Sequence, residues 1–375
     1  MEKPNEGKVL INDIDIHSEK EKIEGVIGFI PQDDLLIEEL TVFENLYYNA
    51  KLCFRNLSDQ EITLLVSKVL SNLGLDEIKQ LKVGNPLDKK ISGGQRKRLN
   101  IGLEIIREPS VLFVDEPTSG LSSGDSENVM DLLRELALKG KLIFVVIHQP
   151  SSDIYKTFDK IVFLDTGGYL IYYGNPVEGI TYFKKADNQI NSEVGECLVC
   201  GTVSPEIIFN IVEAKVIDEF GRFTDKRRRL PHQWADLYKK NTEAITHKDI
   251  KEVPAKTLII PSWVKQLKIF TTRDVLAKIS NKQYLLINLL ETPVLAFILS
   301  YIIRYIENPS SDAYIYREND NIPSYIFMSI IVILFIGLTV SAEEIFRDRK
   351  ILKRESFLNL SRSGYLLSKI GILFF

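Results

Sequence analysis

Cysteine is scarce in this chain of 375 residues, with only three copies, so no disulfide framework can be built. That usage fits a cytoplasmic face. A strong excess of one charge is also missing. The formal net charge is -4, with 47 Lys and Arg against 51 Asp and Glu, which argues against a surface that coats nucleic acid. The first residues, MEKPNEGKVL, show no signal-peptide pattern. No repeat of solenoid type occurs. No run matches the Gly-rich phosphate loop, GxxxxGK followed by Ser or Thr. The length suffices for two or three domains.

What is present centres on residues 91–121, ISGGQRKRLNIGLEIIREPSVLFVDEPTSGL. Ser92, Gly93, Gly94 and Gln95 open a helical stretch. Ser92 suits an N-cap, and the glycines let backbone N–H groups approach an anion at the positive end of the helix dipole. Val111 to Val114 form an apolar, Val-rich run that suits a strand buried on both faces of a parallel sheet. Asp115 and Glu116 close that strand, at the end where α/β sheets bind ligands. Asp115 is suited to hold Mg²⁺, and Glu116 to polarise an attacking water.

The order SGGQ, helix, strand, DEP, Ser119-Gly120-Leu121 resembles the signature motif, Walker B motif and D-loop of ATP-binding-cassette (ABC) ATPases. The alternative is an ordinary βαβ unit with a charged strand end. The resemblance implies an α/β ATPase domain of the P-loop NTPase type with a helical signature subdomain, using ATP and Mg²⁺. Upstream, GKVLINDIDI alternates like a hairpin turning at Asn12-Asp13. Val26 to Ile30 is a second strand-like run, and Gln32 follows it where the family's Q-loop glutamine reaches Mg²⁺ and water. Thr41 with Glu44, and Ser58 with Glu61, read as capping boxes opening two helices, and Gly74 as a C-cap. Residues 126–139 read as an amphipathic helix. Leu142 to Ile147 read as a second buried strand ending at His148, one crossover after Glu116, so the two should lie side by side. His148 resembles the family's switch histidine. Ser122 stands where the D-loop usually has Asp, so the expected contact across an ATPase dimer is in doubt.

The resemblance covers residues 1–185. Residues 186–262 read as a linker with some helix. They contain Cys197 and Cys200, a CxxC without a second pair, for which incidental thiols stand against zinc or redox use. They also contain Lys226 to Arg229, read as a solvated charged face, with anionic lipid headgroups as the alternative.

Residues 263–375 read as a membrane region. PSWVKQLKIFTTRDVLAKI suits an interfacial amphipathic helix. Residues 284–306 and 323–342 are apolar enough to span, and 365–375 look like a third span cut short. Glu291 inside the first span should face protein or water, and Arg304 can snorkel at its end. Residues 307–322 are acidic, whereas the loop EEIFRDRKILKRES and the segment before 284 are basic. The basic sides are therefore cytoplasmic. ATPase before membrane, with that basic segment and Tyr365, resembles the White/G-type half-transporters and their ABC-2-like membrane region.

That resemblance implies ATP-driven transport, export by family habit, with a second half-transporter as partner in a homo- or heterodimer and no nucleic acid. ATP would sit between subunits, with SGGQ of one facing the phosphate loop of the other. Because that loop is missing, the sequence reads as an internal fragment, an ATPase domain incomplete at its N-terminus, that binds ATP weakly. Two alternatives are a soluble ABC ATPase of repair or translation and a non-enzymatic, membrane-bound remnant. The transported substrate is not legible.

Overall fold

In the computed structural model the described residues are 3–85, 88, 90–242, 254, 258–304, 319, 321–355 and 358–374. In chain order come β1 (Leu10–Ile11), β2 (Ile14–Asp15), β3 (Ile27–Ile30), α1 (Val42–Cys53), α2 (Asp59–Asn72), α3 (Gly93–Ile105) and β4 (Val111–Asp115). Then follow α4 (Ser123–Leu138), β5 (Leu142–Val146), α5 (Ser152–Thr157), β6 (Ile161–Asp165), β7 (Tyr169–Gly174), α6 (Pro176–Ala186), α7 (Glu206–Val212), β8 (Lys215–Ile217), β9 (Phe223–Arg227) and α8 (Pro231–Asn241). The last part holds α9 (Trp263–Ser280), α10 (Lys282–Leu286), α11 (Thr292–Ile302), α12 (Asn321–Glu355) and α13 (Arg362–Leu373). The fold class is that of an ABC ATPase domain with several small sheets, followed by a helical region.

The first of two units takes residues 1–23 and 110–254. Asn12 and Asp13 (φ 47° and 63°) turn β1 into antiparallel β2, the backbone a two-residue hairpin needs. β4 and β5 pair in parallel from Val111–Leu142 to Asp115–Val146, and α4, the crossover between them, packs on β5. Leu112 and Val114 bury one face of β4, while on the other Val111 is buried and Phe113 exposed, so the expected burial on both faces holds only at the start of the strand. β5 departs from that expectation. Leu142, Phe144 and Val146 are exposed, and Phe144 stacks at 5.0 Å on Phe113, which is itself exposed. Side chains alternate along a strand, so covering by one helix leaves every second residue of β5 outside.

Within the segment read as a linker, the stretch from Val203 to Tyr238 packs into the first unit. Val203, Ile208, Ile211, Val212, Trp234 and Tyr238 join Tyr155, Ile171, Tyr172, Ile180 and Phe183 in one buried cluster. Trp234 meets Phe183 edge-on with centroids 5.5 Å apart. Large aromatic residues carry enough apolar area to hold such a segment down, which its polar average conceals. The basic cluster is engaged too. Arg227 pairs with Asp165 at 2.7 Å, Arg228 with Asp187 at 2.9 Å, and the Arg229 guanidinium lies 4.8 Å over the Trp234 ring. Arg227 and Arg229 are half-buried against the unit's own surface, whereas Lys226 and Arg228 stay exposed, so the cluster keeps the solvated face read from the sequence on one side.

The second unit takes residues 24–109 and 255–375. Both capping boxes form: Thr41 and Ser58 each cap their helix, and Glu44 and Glu61 bond back. Gly74 follows the end of α2 at φ 62°. Gly102 lets α3 approach α2 closely, since a Cβ there would stand 2.7 Å from Leu73. Leu40, Tyr48 and Leu52 of the α1 region pack with Ile269, Phe270 and Ala277 of α9 and with Tyr365 of α13. The expected interfacial helix α9 therefore turns Arg273, Asp274 and Lys278 inward, because carboxylates from α12 and a lysine from α13 meet them there.

Two stretches have the length and composition to cross a membrane: Lys282–Ile302 with mean hydropathy 1.9 and Asn321–Thr339 with 2.3. Glu291 is exposed and ends a π-helical turn, Ile287–Glu291, ahead of Pro293. Proline has no N–H for the carbonyl four residues back and crowds it, and a widened turn relieves both problems. The basic segment after residue 343 is not a loop. α12 continues through it for 35 residues in all, about 52 Å at 1.5 Å per residue. The acidic segment 307–322 lies almost wholly outside the described residues.

Candidate functional site

The parallel register of β4 and β5 ends both strands at the same level, and each chain then turns sharply. The Glu116 N–H donates to the Val146 carbonyl at 2.9 Å. Glu116 and Gln149 both adopt φ 43°, a left-handed conformation uncommon for residues other than glycine, and one that clusters at functional sites. These turns bring His148 Nε2 to 3.0 Å from Glu116 Oε1. The Glu116 side chain is 21% exposed and that of His148 76%. A carboxylate can only accept, so the imidazole carries its proton on Nε2 in this contact. Asp115, the last residue of β4, is half-buried and next to Glu116 in the chain.

The pair opens onto a cleft of about 410 Å³. Its other walls include Thr118 and Ser119 after the strand, Ser123 and Glu127 from the start of α4, and Asp153 from α5. Sequence reading singled out none of these except Ser119, since hydroxyls near a helix start read first as caps. Ser122 is such a cap: its Oγ accepts from the Asp125 N–H at 3.2 Å. Ser and Asp are nearly equal N-caps, so the replacement of Asp at this D-loop position leaves the start of α4 intact.

The remaining expected residues lie in the second unit. Ser92 caps α3 in a full capping box, with Gln95 N–H donating to Ser92 Oγ at 3.1 Å and Ser92 N–H to Gln95 Oε1 at 2.8 Å. Ser92 is exposed, Gly93 and Gln95 are half-buried, and Gly94 is buried, so the stretch is less open than an exposed anion site would be. The cations after it are engaged. Arg96 donates to Asp34 at 2.9 Å and to the Gly84 carbonyl at 2.7 Å, and Lys97 donates to the Gln32 carbonyl at 2.8 Å. Gln32 follows β3.

A further polar cluster in this unit had no sequence signal. Lys369 of α13 lies 2.5 Å from Asp274, 3.2 Å from Glu344 and 2.8 Å from Asp348. Lys278 pairs with Glu344 at 2.9 Å, Arg273 with Glu355, and the Tyr365 hydroxyl donates to Asp348 at 2.9 Å. Burial pushes the Asp348 and Glu344 carboxyls up, but Lys369 at both, joined by Lys278 at Glu344, brings them below their ordinary values. Among the described residues no group of three or more His, Cys, Asp or Glu is arranged to hold a metal by itself.

Residues 1–119 match the model of the ABC transporter family and residues 265–374 that of the ABC-2 type transporter family. The chain is 44% identical over 161 residues to ABC transporter G family member 25 of Oryza sativa subsp. japonica, a match spanning 42% of this chain and 16% of that protein. It is 42% identical over 157 residues to ABC transporter G family member 14 of Arabidopsis thaliana, covering 42% and 24%. It is 39% identical over 160 residues to the broad substrate specificity ATP-binding cassette transporter ABCG2 of Rattus norvegicus, covering 42% and 24%. The matched part is thus a quarter or less of these three relatives.

Proposed function

We infer, for a chain in which an ABC transporter segment precedes an ABC-2 type transporter segment and whose relatives are G-family ABC transporters, that it works in ATP-driven transport across a membrane. The observation that carries this reading to chemistry is the 3.0 Å contact between Glu116 and His148 at adjacent strand ends. Glu116 is placed to accept a proton from an attacking water. His148 orients Glu116 and presents a polar edge to developing phosphoryl charge.

Asp115 fits a Mg²⁺ ligand by donor type, a half-buried carboxylate at the strand end. Bound Mg²⁺ would neutralise phosphate charge. Gln32 is proposed as a further contact to the metal and water. Ser92, Gly93, Gly94 and Gln95, at the start of α3, are proposed to face nucleotide held by a second half-transporter, the same chain or a related one. The basic residues at the inner end of α12 favour a cytoplasmic ATPase side, and export follows from resemblance alone. The 375 residues are proposed to bind ATP weakly by themselves. None of their runs supplies the nest of N–H groups with a lysine that neutralises the β- and γ-phosphates.

The test is calorimetric ATP binding and phosphate release by the chain as it stands, and again with a relative's GxxxxGK loop and first strand joined ahead of it. The reading expects binding and hydrolysis in the longer form only, with Glu116→Gln keeping binding and losing hydrolysis. Full hydrolysis by that variant would mean that Glu116 is not the group that accepts the water's proton.

A further inference from the structure

Cys197 and Cys200 stand on a closed turn. The Gly201 N–H donates to the Cys197 carbonyl at 2.7 Å, and the Cys197 N–H to the Thr202 carbonyl at 2.9 Å. Gly201 has φ 66°, a backbone that glycine takes without strain. The turn folds the chain back between Cys197 and Cys200, three residues apart, and Cys200 Sγ lies 3.1 Å from Thr202 Oγ1. Both cysteines are exposed. Donation from Thr202 first, then from Cys197, pulls the Cys200 thiol down to about 7. Cys53 is the opposite case: it is buried, and burial pushes its thiol up to about 12. The turn is docked on α5, the helix that begins four residues after His148. The Val203 N–H donates to Ser152 Oγ at 2.8 Å, and Lys156 reaches both the Gly201 carbonyl and Glu196.

We propose that Cys197 and Cys200 are a dithiol site that closes to a disulfide by exchange with a small disulfide of the glutathione class, and that closure alters the seat of the turn on α5. The Cys200 thiolate attacks one sulfur of the reagent, forms a mixed disulfide and expels one thiolate, which takes up a proton. Cys197 then loses its proton and attacks Cys200 Sγ, expelling the second thiolate. Two protein thiols are oxidised, and one reagent disulfide becomes two thiols. Attack by the thiolate and reach of the second thiol are the two requirements of such exchange, and the turn supplies both. A zinc site would need further ligands, and among the described residues none gathers with these two sulfurs.

The whole chain, held in detergent, is incubated with oxidised glutathione, alkylated after denaturation and read by peptide mass spectrometry. The expected product is a Cys197–Cys200 disulfide with Cys53 left free to alkylate. Thr202→Val should slow the reaction at pH 7 by up to about tenfold, because the thiolate fraction of Cys200 falls. Free thiols at both positions, glutathione adducts only, or zinc that must be chelated before exchange would each overturn the proposal. Amide hydrogen exchange of Ser151 to Thr157 is then compared between the two forms. A changed rate supports the link to α5, and equal rates overturn that half even if the disulfide forms.

Discussion

The Glu116–His148 pair and the Lys369 cluster are both built from a carboxylate and a nitrogen donor at hydrogen-bond distance, yet they differ in almost every other respect. His148 is 76% exposed and meets Glu116 at the rim of an open cleft. The Lys369 side chain is 5% exposed and faces three carboxylates. The first arrangement leaves the imidazole open to something that arrives from solvent. The second spends its capacity internally, joining α9, α12 and α13. A buried charge is tolerated only when partners replace its water, so the cluster reads as architecture. The left-handed backbone at Glu116 and Gln149, close to solvent, accords with the catalytic role proposed for the open pair.

The sharpest test of that contrast is catalytic. In a hydrolysis-competent form, Glu116→Gln should lower phosphate release by about 10²- to 10⁴-fold while shifting unfolding by no more than about 1 kcal/mol, because the amide keeps an oxygen that can accept from His148. A large loss of stability would make the pair structural and erase the difference. The reverse profile is expected at the cluster. Lys369→Met strands Asp274 and takes the shared cation from Glu344 and Asp348, which keep Lys278 and Tyr365, and should cost about 3–5 kcal/mol, read by thermal unfolding in detergent. A small loss there would mean that water already reaches the cluster.

Acid should separate the two regions next. Asp348 and Glu344 are held below their ordinary values in the folded chain. A lowered folded value stabilises above the unfolded pKa, about 4, and that stabilisation is lost as pH falls through the folded value. The helices of the second unit should therefore loosen below about pH 4, seen as a falling melting temperature, and Asp348→Asn should weaken that pH dependence. The smallest expected effect is at the D-loop. Ser122→Ala removes the cap of α4 and should cost about 1 kcal/mol, whereas Ser122→Asp should be close to neutral in the isothermal unfolding curve.

Much of the candidate site could be read from local sequence, and the reason is reach. Each of the pairs Thr41–Glu44, Ser58–Glu61 and Ser92–Gln95 spans three residues and closes its box within one helical turn. Asn12-Asp13 set their own turn, and Asp115, Glu116 and His148 are fixed by where two apolar runs stop. The contact of Glu116 with His148 could be anticipated because a single crossover separates their strands.

The sequence by itself determined the order of the chain: hairpin, capped helices, signature stretch, acidic strand end, histidine, then apolar spans. It did not determine which charges are buried. Lys369 meets Asp274 across 95 residues and Glu344 across 25, and nothing local distinguishes these from solvated charges. Nor did it show that Trp234 and Phe183 bind a polar segment into the first unit, or that α12 runs on through the basic stretch. Those outcomes belong to tertiary structure, because desolvation depends on which surfaces meet, and a side chain's sequence neighbours do not specify them.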